Sequence, residues 1–323
     1  MPETFCLSVA IPIHNEETVL PDLLRRIRGV IDQIAGGPHE IVFVDDGSTD
    51  GSLQLLEEAA CNDRRILVIS LSRNFGHQPA ISAALDHVSG DAVVVMDGDL
   101  QDTPEVIPQF VKLYMDNYDV VYATRTARKE PWLLRLCYFV FYRMMTTLSD
   151  VRLPVDAGDF GLMSRRVIDQ LRQLPEHHRY LRGLRSWVGF RQVGVPVERA
   201  GRHSGKSKYS LLRLARLAAD GIFSFSIVPI RAAAIFGAGA IFFSACYAVY
   251  ALFAKFFMQR SPLGFTALII MFIFLSGVNL LFLGIIGEYV GRIYEESKSR
   301  PLYVIGRVSG TIRVTTTDAR THG

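Results

Sequence analysis

Two uncharged apolar stretches, residues 232–254 and 263–287, constrain this chain more than any other feature. Each exceeds the roughly 20 residues that a helix needs to cross the hydrocarbon of a bilayer. The link between them, residues 255–262, is short, so the two predicted spans form an antiparallel hairpin. They account for much of the 49% hydrophobic content of the 323 residues. Arg202, Lys206, Lys208, Arg213, Arg216 and Arg231 precede the hairpin, and Arg292, Lys298 and Arg300 follow it. The connecting loop has only Lys255 and Arg260. This asymmetry predicts both termini on the cytoplasmic side. Residues 1–8 include Glu3 and no long apolar run, so no cleavable signal is expected. Cys6, Cys61, Cys137 and Cys246 lack metal-like spacing and read as reduced, mostly buried thiols. A net charge of +3 gives no reason to expect nucleic acid as a partner. The basic cluster ahead of the first span instead suits anionic lipid headgroups.

The first 125 residues alternate strand-like and helix-like segments. Strands are predicted at 7–11, 40–44, 65–69, 92–96 and 119–123, with helices at 17–34, 52–60, 78–87 and 104–117. This alternation implies βαβ units and a doubly wound α/β domain, with a mostly parallel sheet covered on both faces. Residues 132–148 and 210–225 are amphipathic and fit either the membrane interface or packing against the sheet. The domain reading is a cytosolic catalytic domain over 1–200, then a basic loop and juxtamembrane helix over 201–228. The hairpin follows over 229–291 and a cytosolic tail over 292–323, with strand-like pieces at 302–305 and 311–314.

Polar and acidic motifs follow four of the predicted strands. They are Pro12-Ile13-His14-Asn15-Glu16-Glu17, Asp45-Asp46-Gly47-Ser48, Ser72-Arg73-Asn74-Phe75-Gly76 and Asp97-Gly98-Asp99-Leu100-Gln101-Asp102. Each alone is compatible with an ordinary turn. In a parallel sheet, however, all four lie on the edge where α/β proteins bind ligands. Neither G-x-G-x-x-G after the first strand nor G-x-x-x-x-G-K-[ST] occurs. A diphosphate here must be held another way, and a divalent cation on the Asp97-Gly98-Asp99 carboxylates would do it. Oxygen ligands and a phosphate partner point to Mg²⁺ or Mn²⁺.

With these motifs the chain resembles the family 2 glycosyltransferases of the GT-A fold. More narrowly, it resembles the polyprenyl-phosphate branch, which includes bactoprenol glucosyltransferases and dolichyl-phosphate mannose synthases. The likeness extends through Tyr122-Ala123-Thr124-Arg125, Gly158-Asp159-Phe160-Gly161-Leu162-Met163 and Asp220-Gly221-Ile222-Phe223 to Gly287-Glu288-Tyr289-Val290-Gly291-Arg292. It implies that Pro12, Asn15, Glu16, Val44, Asp46, Asp97 and Gly98 bind the nucleotide sugar, with Asp46 at the base edge. It further implies Asp97, Asp99 and Gln101 at the metal, and Arg125 on a phosphate. One branch of the family puts a catalytic carboxylate at Asp159 and the other at about Asp156, so both stand as candidates. Arg202, Lys206 and Lys208 resemble a basic segment that can close over both phosphates, and with Arg125 they are the candidates for binding the lipid phosphate. Glu288 is expected to pair with a basic neighbour. A homotetramer is also implied.

The function expected is metal-dependent, inverting transfer of one hexose to undecaprenyl or another polyprenyl phosphate, at the cytoplasmic face of a bacterial inner membrane. UDP-glucose is the first candidate donor; GDP-mannose, UDP-GlcNAc and UDP-aminoarabinose types are alternatives. A processive polysaccharide synthase fits less well, since Trp187 is not preceded by the Q-x-x-R pattern and two spans leave little material for a channel. A silent nucleotide-binding scaffold is disfavoured by the intact Asp97, Asp99, Gln101 and Asp159.

Overall fold

A computed structural model of the chain describes residues 5–125, 157–174, 176, 179–197, 228–257 and 264–310. They fall into two compact units, the first comprising described residues up to 197 and from 301 onward, the second the two long apolar helices.

In the first unit, β1 (Leu7–Ile13), β2 (Glu40–Asp45), β3 (Ile66–Leu71) and β4 (Ala92–Val95) are buried along their whole lengths. Strands covered on both faces have no polar side to show, which is why their sequences read as continuous apolar runs. α1 (Leu20–Ile31), α2 (Ser52–Asn62) and α3 (His77–His87) connect them. α1 buries Leu20, Leu23, Leu24, Ile27, Val30 and Ile31, the stripe expected of a helix packed on a sheet. After β4, a 3₁₀ turn (Pro104–Val106) and α4 (Ile107–Met115) lead to β5 (Val120–Arg125).

The remaining elements depart from simple alternation. β6 (Ala157–Ser164) enters antiparallel between β4 and β5, pairing Gly161 with Val95 on one side and Tyr122 on the other. The fifth strand is therefore not the neighbour of the fourth. Gly161 makes the insertion possible: a Cβ there would stand 2.5 Å from the Val121 carbonyl oxygen. α5 (Arg165–Gln173) and α6 (Leu181–Trp187) follow, then β7 (Gln192–Val197), parallel to β5. Last, β8 (Ile305–Gly310) pairs antiparallel with β3 and closes the sheet order β7-β5-β6-β4-β1-β2-β3-β8. Six of these eight strands run one way, as a mostly parallel sheet requires.

The second unit holds α7 (Val228–Phe257) and α8 (Phe265–Ser297), which pack against one another. Their outer surface is apolar, with Phe236, Phe243, Phe272 and Leu280 all exposed. Among the described residues one stretch, Phe274–Ser297, is long and apolar enough to cross a membrane. Glu288 pairs with Arg292 at 2.9 Å, one turn away, as expected.

Among the described residues the expectation of mostly buried thiols does not hold, and Cys137 lies outside them. Cys6 is half-buried, while Cys61 and Cys246 are exposed on the outward faces of α2 and α7. The amphipathic stretches 132–148 and 210–225 lie outside the described residues.

Candidate active site

Because β1, β2, β3 and β4 are parallel, their C-terminal ends share one edge, and the polar motifs gather there. Pro12 and Val44 are paired across β1 and β2 and buried beneath it. Asn15, in the left-handed conformation at φ 56°, accepts a hydrogen bond from the Thr49 amide at 2.8 Å. Its own amide donates to the Ser48 hydroxyl at 3.0 Å, and the Glu16 amide donates to Ser52 at 2.9 Å. The first two loops are thereby stitched together.

Asp46 joins the third loop. Its carboxylate accepts from the Phe75 amide at 2.7 Å and the Gly76 amide at 2.9 Å. A carboxylate has about four acceptor positions, so a nucleotide base can still be read by the same group. Gly47 beside it takes φ 64°, and a Cβ there would stand 2.6 Å from the Asn74 nitrogen. Only glycine allows the two loops to approach this closely.

The turn after β4 forms one wall of a cleft. Asp99 accepts from the Gln101 amide at 3.0 Å, and the Asp97 amide donates to Asp102 at 3.4 Å. Leu100 is buried at φ 56°, a strained conformation that its packing maintains. Gly98 lies against β1, where a Cβ would meet the Ile13 side chain at 2.3 Å.

The opposite wall comes from β6 and α6. Since Gly161 pairs with Val95, Asp159, two residues earlier on an antiparallel strand, comes level with Asp97. Asp159 accepts from Arg182 Nε at 2.8 Å and Nη2 at 2.9 Å. His77, the first residue of α3, stands between the walls, its Nε2 3.5 Å from Asp97 Oδ1 and 3.9 Å from Asp159 Oδ2. Burial pushes the Asp159 pKa upward, but Arg182 and His77 more than offset it and hold the group far below the usual carboxylate range. Burial likewise pulls the His77 pKa down, while Asp159 and Asp97 raise it to a net upward shift. Between the walls lies an open cleft lined by Asp97, Gln101, Asp102, Thr124, Asp159 and Arg182 among others.

No three His, Cys, Asp or Glu side chains converge as a metal cage among the described residues. The donors at the β4 turn are oxygens: two carboxylates and the Gln101 carboxamide. That set fits Mg²⁺ or Mn²⁺, which bind through one or two carboxylates and complete their shell with substrate phosphates and water.

The structure thus brings together Pro12, Asn15, Glu16, Val44, Asp46, Asp97, Gly98, Asp99, Gln101 and Asp159 along one edge of the sheet. Arg125 ends β5 at that edge. Its side chain, together with Asp156, Arg202, Lys206 and Lys208, lies outside the described residues. Sequence reasoning missed His77, Arg182 and Arg185. Arg185 did leave a signal. It occupies the apolar face of α6 with Leu181 and Leu184, where a charge announces a buried ionic contact.

A mixed sheet with acidic turns gathered at the carboxyl ends of its parallel strands is the arrangement of a GT-A glycosyltransferase. The model of glycosyl transferase family 2 matches residues 8–172, and the chain belongs to that family. An uncharacterized glycosyltransferase of Bacillus subtilis, YkcC, is 41% identical over 94% of this chain and 94% of its own. The bactoprenol glucosyl transferase of Shigella phage SfV is 37% identical over 93% of this chain and 97% of its own. Among solved structures, glucosyl-3-phosphoglycerate synthase from Mycobacterium tuberculosis, in complex with Mn²⁺, UDP-glucose and phosphoglyceric acid, is 19% identical. The match covers 69% of this chain and 78% of that one, with a TM-score of 0.46.

Proposed function

We propose that this glycosyltransferase moves one hexose, with glucose from UDP-glucose as the first candidate, onto a polyprenyl phosphate at the cytoplasmic face of the membrane. The observation that carries the reading is the extent of the likeness to bactoprenol glucosyl transferases, which spans 93% of the chain and includes both apolar helices. A chain that kept only a soluble sugar-transfer chemistry would not need them. α7 and α8 serve as a two-span anchor, with the catalytic unit and both termini on the cytoplasmic side.

The nucleotide lies across the ends of β1 and β2, against Pro12, Asn15, Glu16 and Val44, with Asp46 facing the base. Asp97, Asp99 and Gln101 would hold Mg²⁺ or Mn²⁺, which when bound would supply Lewis-acid neutralisation of the departing diphosphate. Arg125 and the basic segment of Arg202, Lys206 and Lys208 provide positive charge for the lipid phosphate. In the transfer, a phosphate oxygen forms a bond to the anomeric carbon from the face opposite the diphosphate. The bond to the diphosphate breaks, its electron pair leaves with the nucleotide, and configuration inverts. A phosphate monoester, with a second pKa of about 6, is already largely dianionic near neutral pH. The attack therefore needs orientation more than deprotonation.

The test uses purified full-length protein in detergent with undecaprenyl phosphate, Mg²⁺ and a panel of radiolabelled UDP- and GDP-sugars. Label in the chloroform phase, abolished by EDTA and greatest with UDP-glucose, is the expected result. Label from a different donor would replace glucose in this reading. No lipid-soluble label from any donor would defeat it.

A further inference from the structure

The segment that follows α8 belongs to the catalytic unit, and it meets that unit beside a loop of the candidate site. β8 pairs Arg307 with Ser70 but Ile305 with Leu71, so one step along β3 takes two along β8, with Gly306 as the extra residue. Such a bulge re-aims an edge strand. Here it carries the contact past the end of β3. The Val304 carbonyl accepts from the amide of Ser72, the first residue of the 72–76 loop, at 2.9 Å. Gly306 packs on the same place, where a Cβ would stand 3.3 Å from Ser72 Cα and 3.4 Å from its nitrogen. Tyr303, just before Val304, donates its hydroxyl to Asp86 at 2.8 Å. Asp86 lies in the last turn of α3, the helix into which the loop leads. Burial and the Asp86 carboxylate push the Tyr303 pKa upward, so the hydroxyl keeps its proton and stays a donor. Two consecutive residues therefore hold the strand that enters the loop and the helix that leaves it.

That loop is the one that fixes Asp46. The Phe75 and Gly76 amides donate to its carboxylate at 2.7 and 2.9 Å, and Asn74 Nδ2 stands 3.2 Å from His14 Nδ1. If the loop drifts, the carboxylate loses both amide donors together. Affinity for a ligand that needs Asp46 in place then falls with the fraction of molecules in which the loop is set. The far half of β8 is anchored elsewhere. Glu57 on α2 accepts from Arg307 at 3.0 Å and from Ser309 at 3.1 Å. Those contacts secure the strand without touching the loop.

We infer that Tyr303 and Gly306 are positioning residues for the sugar donor: through α3 and Ser72 they set the loop whose amides aim Asp46 at the nucleotide base. The inference rests on the donor reading above, in which Asp46 faces the base. Neither residue touches the reacting atoms. Their contribution therefore belongs to donor affinity and not to the rate of the bound complex.

The experiment compares Tyr303→Phe, Gly306→Val and Glu57→Gln in the full chain in detergent. Calorimetry measures UDP binding with Mg²⁺, mass spectrometry follows amide exchange at Phe75 and Gly76, and radiolabelled UDP-glucose reports transfer to undecaprenyl phosphate. One hydrogen bond is worth roughly three- to tenfold in an equilibrium constant. Tyr303→Phe is expected to weaken UDP by about that factor, with faster exchange at both amides. The donor KM should rise in step, while kcat and the acceptor KM stay within about twofold of the wild type. Gly306→Val forces a branched side chain against the Ser72 backbone and should act in the same direction, more strongly. If it does not fold, Tyr303→Phe carries the test alone. Glu57→Gln should lower Tm yet leave UDP binding and the two amides unchanged. Indifference of UDP binding to Tyr303→Phe would overturn the inference, whether or not exchange quickens. So would an equal loss in Glu57→Gln, the mark of general destabilisation, or a fall in kcat with the donor KM intact. A wild type that binds neither UDP nor GDP with Mg²⁺ would instead defeat the donor reading. Faster exchange in Tyr303→Phe would then still uphold the tie between β8 and the loop.

Discussion

The two walls of the cleft are built in opposite ways. The β4 wall is local: Asp97, Asp99, Gln101 and Asp102 come from a single turn whose backbone conformation is fixed by Leu100 and by amide hydrogen bonds to Asp99 and Asp102. The opposite wall is assembled from afar. Asp159 comes from an antiparallel strand inserted into the sheet, and Arg182 from a helix 23 residues later. The first wall concentrates carboxylates in one short turn, while the second sets its carboxylate against an arginine. A cluster of oxygen donors can be encoded in six consecutive residues, but an oriented guanidinium needs the tertiary fold to bring its partner.

The sharpest way to break this contrast is at the local wall. Asp99→Asn should lower kcat/KM by on the order of 10²–10³, the scale of losing one group that stabilises developing charge. Excess Mn²⁺ should restore part of the loss, and titrating activity against metal concentration checks it. The distant wall should respond first in folding. Gly161→Ala forces a Cβ against the Val121 carbonyl and should destabilise the catalytic unit by about 1–3 kcal/mol. This would appear as a lower Tm before any specific loss of metal affinity. Gly98→Ala at the local wall meets mainly the tip of the Ile13 side chain, so its Tm should fall less.

Smaller effects sharpen the comparison. Asp46→Asn weakens the acceptor of two backbone hydrogen bonds and should cost roughly 1–2 kcal/mol. The loss should be visible as faster amide exchange at Phe75 and Gly76. The smallest expected effect is in pH dependence. The folded pKa of Asp159 is lowered, so its ion pair contributes stability above the ordinary carboxylate value of about 3.9. That contribution is lost only as pH falls through the depressed folded value. Between pH 5 and 8 Asp159 stays ionised, and the acidic limb of the kcat/KM profile should keep its midpoint in Asp159→Asn. A limb that moved would show that Asp159 titrates in the reaction.

The same contrast explains what the sequence disclosed. Strands β1 to β4, their helices and the acidic turn were legible because each is a local pattern, an apolar run followed by a polar turn. The register of β6 was not, because pairing with β4 and β5 leaves no mark in local periodicity. Asp159 could be singled out by its motif, but its partner could not, since nothing near residue 159 specifies Arg182. His77 was hidden for a similar reason. It directly follows the Gly76 that ends a recognised motif, and only the packing of α3 turns it toward the two acids. The misjudged thiols teach the complementary lesson: burial is decided by which face of a helix packs, and Cys61 falls on the face of α2 that does not.

The closing strand has a consequence for how the protein is made. β3 presents an apolar edge, Ile66–Leu71, that is paired only when β8 arrives. β8 starts 108 positions after β7 ends, counting from Val197 to Ile305, and both long helices are translated in between. At roughly 5–20 residues per second, that edge stays unpaired for on the order of 5–20 s after β7 is complete. An unpaired strand edge is a template for association with other chains. The nascent catalytic unit therefore reaches its protected form only after the apolar helices have left the ribosome. A chain stopped before residue 305 should aggregate even with every residue of the cleft in place.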